Sequence, residues 1–318
     1  MAPSRSLPWF LACAVTAVLA VAGCSAEKAA PEAAAPPAVS GTAPGTPSLP
    51  APAPAPTTPA CAAPQGWDCS WGPKFAQVSA RVAASPGQLG VEVRDRQTGA
   101  VWKAGAADKT TWTGSTIKLA MVASVFEKAR AGKVTLTTAD RKDIADMLSW
   151  SSDDAADRVW RKFGRDAMVP GFRDTYGMKG LTFVPGFDRY WGFMKCGPDD
   201  LTNLMSYVLG KLAAEDRAYI VRAMRSVEDI QHWGVWAVGA TQGAGTKNGW
   251  SQELDGGVEH WVTSTVGFAG PAERYVLTVM YSMPPGQDSL ALGVHTVSDI
   301  PAALFGVATP APVVVRPS

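Results

Sequence analysis

The chain has 318 residues, 47% of them hydrophobic and 18% charged, with a formal net charge of +1. That is enough apolar material for one substantial core, and without a basic block there is no electrostatic footprint for nucleic acid, so no such partner is expected. The five cysteines and the scattered His232, His260 and His295 form no Cys-x-x-Cys or His-rich pattern, so neither a metal nor a cofactor is expected.

Arg5 precedes the apolar run Leu7 to Ala22, broken by Pro8 and Thr16. This layout predicts an export signal whose core is too short for a durable membrane span. Val21-Ala22-Gly23-Cys24 resembles a bacterial lipobox. The resemblance implies that residues 1–24 are a lipoprotein signal with Cys24 lipidated. The protein would then sit on the outer face of a bacterial membrane, touching it through the anchor alone, with each buried lipid CH₂ contributing about 0.8 kcal/mol. Residues 25–64, almost wholly Ala, Pro, Thr, Ser and Gly from Glu27 on, lack the apolar groups a core requires and read as a disordered tether. In polyproline II form such a tether reaches up to about 100 Å.

Outside the signal and anchor three cysteines remain, Cys61, Cys69 and Cys196. Cys61 with Cys69 is the simplest disulfide, contributing about 2 to 3 kcal/mol by closing a short loop. Cys69 with Cys196 stays open. A single domain is expected over residues 65–308, with a C-terminal tail at 309–318.

Within the domain, Gln88 to Arg94 and Ala100 to Ala104 alternate apolar and polar residues around Gln97-Thr98-Gly99, which predicts a hairpin. Ser115 and Lys118 form an S-x-x-K tetrad at the expected start of a helix that runs to Gly132. Three residues span almost one helical turn, so hydroxyl and amine share a face, as a nucleophile and its base require. Thr113 and Gly114 are expected as caps, and the free N–H groups of a helix start favour an oxyanion over Ser115. Further helices are expected at Thr138 to Trp150, Asp154 to Phe163, Pro198 to Leu212 and Ala214 to Val227. Strands are expected at Gly245 to Gln252, Trp261 to Ala269 and Tyr275 to Ser282, with a turn at Gly270-Pro271 and a closing helix at Leu290 to Phe305. Strands at both ends with helices between imply an α+β, three-layer α/β/α fold: one antiparallel sheet built from both termini, with a mostly helical insert.

Two more segments join the tetrad: Ser151-Ser152-Asp153-Asp154 at a helix junction and Lys247-Asn248-Gly249-Trp250 on a strand. The order S-x-x-K, S-x-N-like, K-x-G resembles that of class A β-lactamases and penicillin-binding proteins, over about Val91 to Leu304. The resemblance implies that Ser115 is the acylated nucleophile and Lys118 its base. It implies an oxyanion hole from the N–H groups of Ser115 and Trp250, and a substrate carboxylate held by Lys247. Asn248 stands where the family usually has Thr, and Gly249 would let substrate approach the strand. The middle motif fits two registers. Ala155-Ala156-Asp157 favours Ser151 as proton shuttle with Asp153 in the asparagine position; Ser152 with Asp154 is the alternative. Either way an aspartate replaces asparagine. A carboxylate accepts hydrogen bonds without donating any, and it stabilises an ammonium, so it is expected to make Lys118 a poor base.

Class A β-lactamases deacylate with an Ω-loop glutamate. Between Asp157 and Lys247 this chain has only Glu215 and Glu228, both in expected helices, and the loop region holds Asp188, expected to pair with Arg189. Of Trp191, Trp233, Trp236, Trp250 and Trp261, only Trp250 is expected at the site. The expected function is a monomeric serine hydrolase acting on cell-wall-like peptide amides or esters, or on β-lactams, with poor β-lactam turnover. The alternative is a catalytically degenerate module that binds cell-wall peptides.

Overall fold

The computed structural model describes residues 61–316; the export signal, Cys24 and residues 25–60 of the tether lie outside them. A helix absent from the expectations, α1 (Trp71–Ala84), comes first, followed by the hairpin strands β1 (Gln88–Asp95) and β2 (Val101–Gly105). β3 (Thr111–Trp112) leads to a 3₁₀ turn, Gly114–Ile117, and α2 (Lys118–Arg130). Then come α3 (Thr138–Ser149), α4 (Asp153–Phe163), α5 (Val169–Asp174), β4 (Thr182–Phe183), β5 (Met194–Cys196), α6 (Pro198–Gly210) and α7 (Ala214–Arg225). The long strands β6 (Gly245–Asp255), β7 (Val258–Ala269) and β8 (Tyr275–Ser282) and the helix α8 (Leu290–Leu304) close the chain.

The main sheet is antiparallel in the order β2-β1-β8-β7-β6, so strands from both ends of the domain meet at the β1–β8 ladder. Alternation along each strand sends residues to two different cores. Leu89, Val91 and Val93 of β1 and Leu277, Val279 and Tyr281 of β8 pack against α1 and α8. Val266, Phe268, Val276 and Met280 face the helical layer instead. α2 is the centre of that layer: every residue from Lys118 to Phe126 is buried, as in a helix enclosed on all sides. This is the expected three-layer α+β fold. A small sheet, β3-β5-β4, stands beside it; strands of two or three residues leave no periodicity to read.

Several local expectations need correction. Thr113 makes no side-chain cap, and Ser115 belongs to the 3₁₀ turn ahead of α2 rather than to the helix itself. Glu228 is not helical: it is exposed in the loop after α7. The domain reaches beyond both ends set for it. Cys61 is disulfide-bonded to Cys69, inside the stretch read as tether. Residues 309–316 are no loose tail, for Ala311 and Val313 are buried in the α1–α8 core and Arg316 pairs with Asp229 at 3.0 Å. Cys196 is a buried free thiol, its pKa pushed well up by desolvation.

Candidate active site

β6 is the edge strand of the sheet, and the 3₁₀ turn lies against it backbone to backbone. A Cβ on Gly249 would stand 2.7 Å from Ser115 N and 2.8 Å from Thr113 O, and one on Gly114 would stand 3.0 Å from Trp250 N. Only glycine at both positions permits this approach. Asn248 N donates to Gln231 Oε1 at 3.1 Å, away from β7. Alternate residues of a strand direct their N–H groups to the same edge, so Trp250 N faces outward beside Ser115 N. Both amides lie where the turn meets the strand.

Lys118 Nζ stands 2.8 Å from Ser115 Oγ, 2.6 Å from Ser151 O and 2.5 Å from Asp153 Oδ1. The amine donates to all three oxygens; once it loses its proton, two N–H donors remain for Ser151 and Asp153 and a lone pair can face the Ser115 hydroxyl. Lys118 is fully buried, and desolvation drives its pKa below the ordinary lysine value; Asp153, and more weakly Asp157, oppose the shift without reversing it. This corrects the expectation that the aspartate would dominate. The Asp153 side chain is 74% exposed, so water screens its charge while the amine is dry. The amine also lies 4.7 Å from the ring centre of Trp191.

Lys247 is wholly buried, and its three N–H donors go to Ser151 Oγ (2.8 Å), Gln231 Oε1 (2.7 Å) and Asn248 O (2.8 Å). Burial holds its pKa well below the usual lysine value, and Lys118 pushes the same way. With every donor committed, Lys247 is not available to a substrate carboxylate, contrary to expectation. It holds Ser151, which bridges the two lysines: carbonyl to Lys118, hydroxyl facing Lys247. The structure therefore brings together Ser115, Lys118, Ser151, Asp153 and Lys247. Ser152 instead caps α4, accepting from Ala155 N at 3.2 Å, and Asp154 is exposed on that helix.

The Asn248 side chain is fully buried on the opposite face of the strand, donating to the carbonyls of Gln231 and Trp233 at 3.0 and 3.1 Å and accepting from Thr246 and Thr265. It braces the sheet and does not face substrate, which corrects its assignment to binding. Trp250 packs edge-on against Trp233, 5.8 Å between ring centres. A cleft of about 190 Å³ opens over Ser115, lined also by Gly114, Asp153, Tyr190, Trp191, Gly192, Trp250, Ser251 and Glu253. Trp191 is buried in the helical-layer core, as expected, and also walls the cleft, whereas Trp233 is buried in the α1–α8 core and Trp236 and Trp261 pack against it. Asp188 does not line the cleft, and Arg189 pairs with Asp166 at 2.8 Å, not with Asp188. Asp157 accepts from Tyr190 Oη and from Trp191 Nε1 (3.0 Å) and pairs with Arg161, which pins the cleft wall and holds its own carboxyl below the usual range.

Gln231 was not singled out in sequence. It is fully buried, and besides its two contacts to β6 its Nε2 donates to Leu148 O and Ser149 O, both at 2.7 Å. No motif marks a glutamine in a loop. Glu253 could have been found, because it lies six residues past Lys247 and alternation places both on one face of β6.

Residues 74–141 match the model of the "Beta-lactamase enzyme family". Over 224 residues the chain is 28% identical to a protein of Mycobacterium tuberculosis named "Putative lipoprotein LppW", covering 68% of this chain and 69% of that one. Among solved structures it is similar to an ancestral class A β-lactamase (TM-score 0.60, 18% identity, 73% of this chain and 99% of that chain). A β-lactamase of Burkholderia vietnamiensis is comparable (TM-score 0.59, 19% identity, 76% and 97%). The architecture is that of the class A β-lactamases.

Proposed function

We propose that this chain, β-lactamase-like in fold, is an exported, lipid-anchored serine acyl-transferase or hydrolase that forms an acyl-enzyme on Ser115. The observation that carries this reading is the 2.8 Å approach of a buried, pKa-lowered Lys118 amine to a hydroxyl that opens on a cleft. Ser115 Oγ attacks a carbonyl carbon while its proton passes to Lys118 Nζ. The N–H groups of Ser115 and Trp250 receive the developing oxyanion. As the bond to the leaving group breaks, the Ser151 hydroxyl supplies that group with a proton and is itself reprotonated from Lys247. Lys118 keeps the proton taken from Ser115, so the step balances.

The substrate class is an amide or ester of cell-wall-like peptides, or a β-lactam. Neither aspartate near the expected loop takes the place of the Ω-loop glutamate: Asp188 lies outside the cleft and Asp157 is committed to Tyr190, Trp191 and Arg161. Acylation should therefore outpace deacylation. The lipoprotein name of the mycobacterial relative supports an anchor at Cys24, and Cys24→Ser should move the protein from the membrane to the soluble exported fraction.

Labelling with a fluorescent penicillin and with a fluorophosphonate tests the reading. Adduct on the native protein but not on Ser115→Ala is expected; equal labelling of both, or none with either probe, would overturn it.

A further inference from the structure

We infer that the cleft selects acyl donors carrying a cationic group, which binds at Glu253 along the Ser115 side of β6; this rests on the acyl-transfer reading above. The first observation is charge. The side chains lining the cleft include two carboxylates, Asp153 and Glu253, and no arginine or lysine. The two lysines beneath it have their polar contacts filled from within the protein. A substrate carboxylate would therefore meet like charge and no free cation.

The second observation is that Glu253 has no ion-pair partner among the described residues. The nearby basic groups are turned elsewhere: Lys195 pairs with Asp255 at 2.6 Å, and the His260 ring nitrogen Nε2 lies 3.0 Å from the same carboxylate. Partial burial raises the Glu253 carboxyl above its ordinary value, with Asp255 adding to the rise. A half-buried carboxylate without a counter-ion is stabilised by any cation that reaches it.

The third observation is Ser251 Oγ, which is buried, makes no hydrogen bond of good geometry, and leans toward the Glu253 carboxyl, where its hydroxyl favours the ionised form. Gly249, Ser251 and Glu253 alternate along one face of β6, so a hydroxyl with free acceptor capacity stands between the glycine that abuts Ser115 and the unpaired carboxylate. An ammonium donates to both, filling an acceptor that a carboxylate leaves empty and bringing the charge that a neutral donor lacks. The four-residue separation of Gly249 and Glu253 sets the reach at about 13 Å along the strand. The fitting ligand is an extended acyl chain or peptide with a primary amine at that distance from its reacting carbonyl.

Two arms test the site. In the first, p-nitrophenyl esters of 8-aminooctanoate, 8-acetamidooctanoate and nonanedioate are compared as acylating agents of Ser115. In the second, the corresponding amides are titrated onto Ser115→Ala by calorimetry, which reads binding without chemistry. The amine should bind about fivefold or more tightly than the acetamide, and the carboxylate most weakly. Glu253→Gln should level amine and acetamide, and Glu253→Lys should reverse the order in favour of the carboxylate, a gain that misfolding could not produce. The preference should fade as pH falls through the raised carboxyl pKa. Equal binding of amine and acetamide by Ser115→Ala would overturn the cationic subsite. Absence of any ester adduct with the amine preference intact would overturn the acyl-transfer reading and leave the subsite standing.

Discussion

Ser151 adopts φ of 61°, a left-handed conformation that costs a non-glycine residue about 1 to 2 kcal/mol. It persists because both of its oxygens are held, the carbonyl by Lys118 and the hydroxyl by Lys247. Asp153 completes that cage from the solvent side. Its charge favours the Lys118 ammonium, so removing it lowers the lysine pKa further. The rate of Ser115 acylation should rise with pH as Lys118 loses its proton, and in Asp153→Asn the midpoint of that rise should move to lower pH. Stopped-flow acylation across pH checks this, and an unmoved or raised midpoint would contradict it. Gln231 acts on the same cage from beneath. Gln231→Leu takes the partner from Asn248 N and the side-chain donor from the Leu148 carbonyl, and leaves Lys247 Nζ and the Ser149 carbonyl each one contact short; a buried group left unpaired costs about 1 to 3 kcal/mol. Denaturant unfolding should show a loss of about 3 kcal/mol or more.

Among the elements, the contact between β6 and the 3₁₀ turn decides whether two N–H groups can share one oxygen. Gly249→Ala would push a methyl to 2.7 Å from Ser115 N, against backbone that has no rotamer to change. The expected outcome is a stability loss of about 1 to 3 kcal/mol and acylation slowed about a hundredfold, read by melting and by labelling rate on the same variant. The long elements were legible because their periodicity is strong: β8 runs Tyr275–Ser282 as expected, and α3, α4, α6, α7 and α8 fall within a few residues of their expected bounds. The 3₁₀ entry to α2 was not legible. Its geometry follows from tertiary contact with Gly249, not from a capping residue. α1 was missed even though Trp71, Phe75, Val78 and Val82 keep helical spacing and are all buried.

At the scale of the molecule, the sheet joins distant parts of the chain, and the site exists only where they meet. The order of three motifs, through its resemblance to class A β-lactamases and penicillin-binding proteins, pointed to Ser115, Lys118, Ser151, Asp153 and Lys247, with Ser152 and Asp154 as the other register, and the structure brings the first five together. What those side chains bind was less legible. The duties assigned to Asn248 and to Lys247 toward a substrate carboxylate fail on burial and on donor count, quantities that only packing determines. Gln231, Trp191 and Glu253 belong to the site through strand alternation and loop placement rather than through any motif. The central claim is that Ser115 becomes acylated and that the acyl group then leaves slowly, and time-resolved intact-mass spectrometry of the native protein with ampicillin, a penicillin whose side chain carries an amine, tests it most directly. The account predicts one added acyl mass, mapped to the peptide that contains Ser115 and persisting after free drug is removed. An unmodified protein at every time point, or an adduct on any other residue, would contradict it.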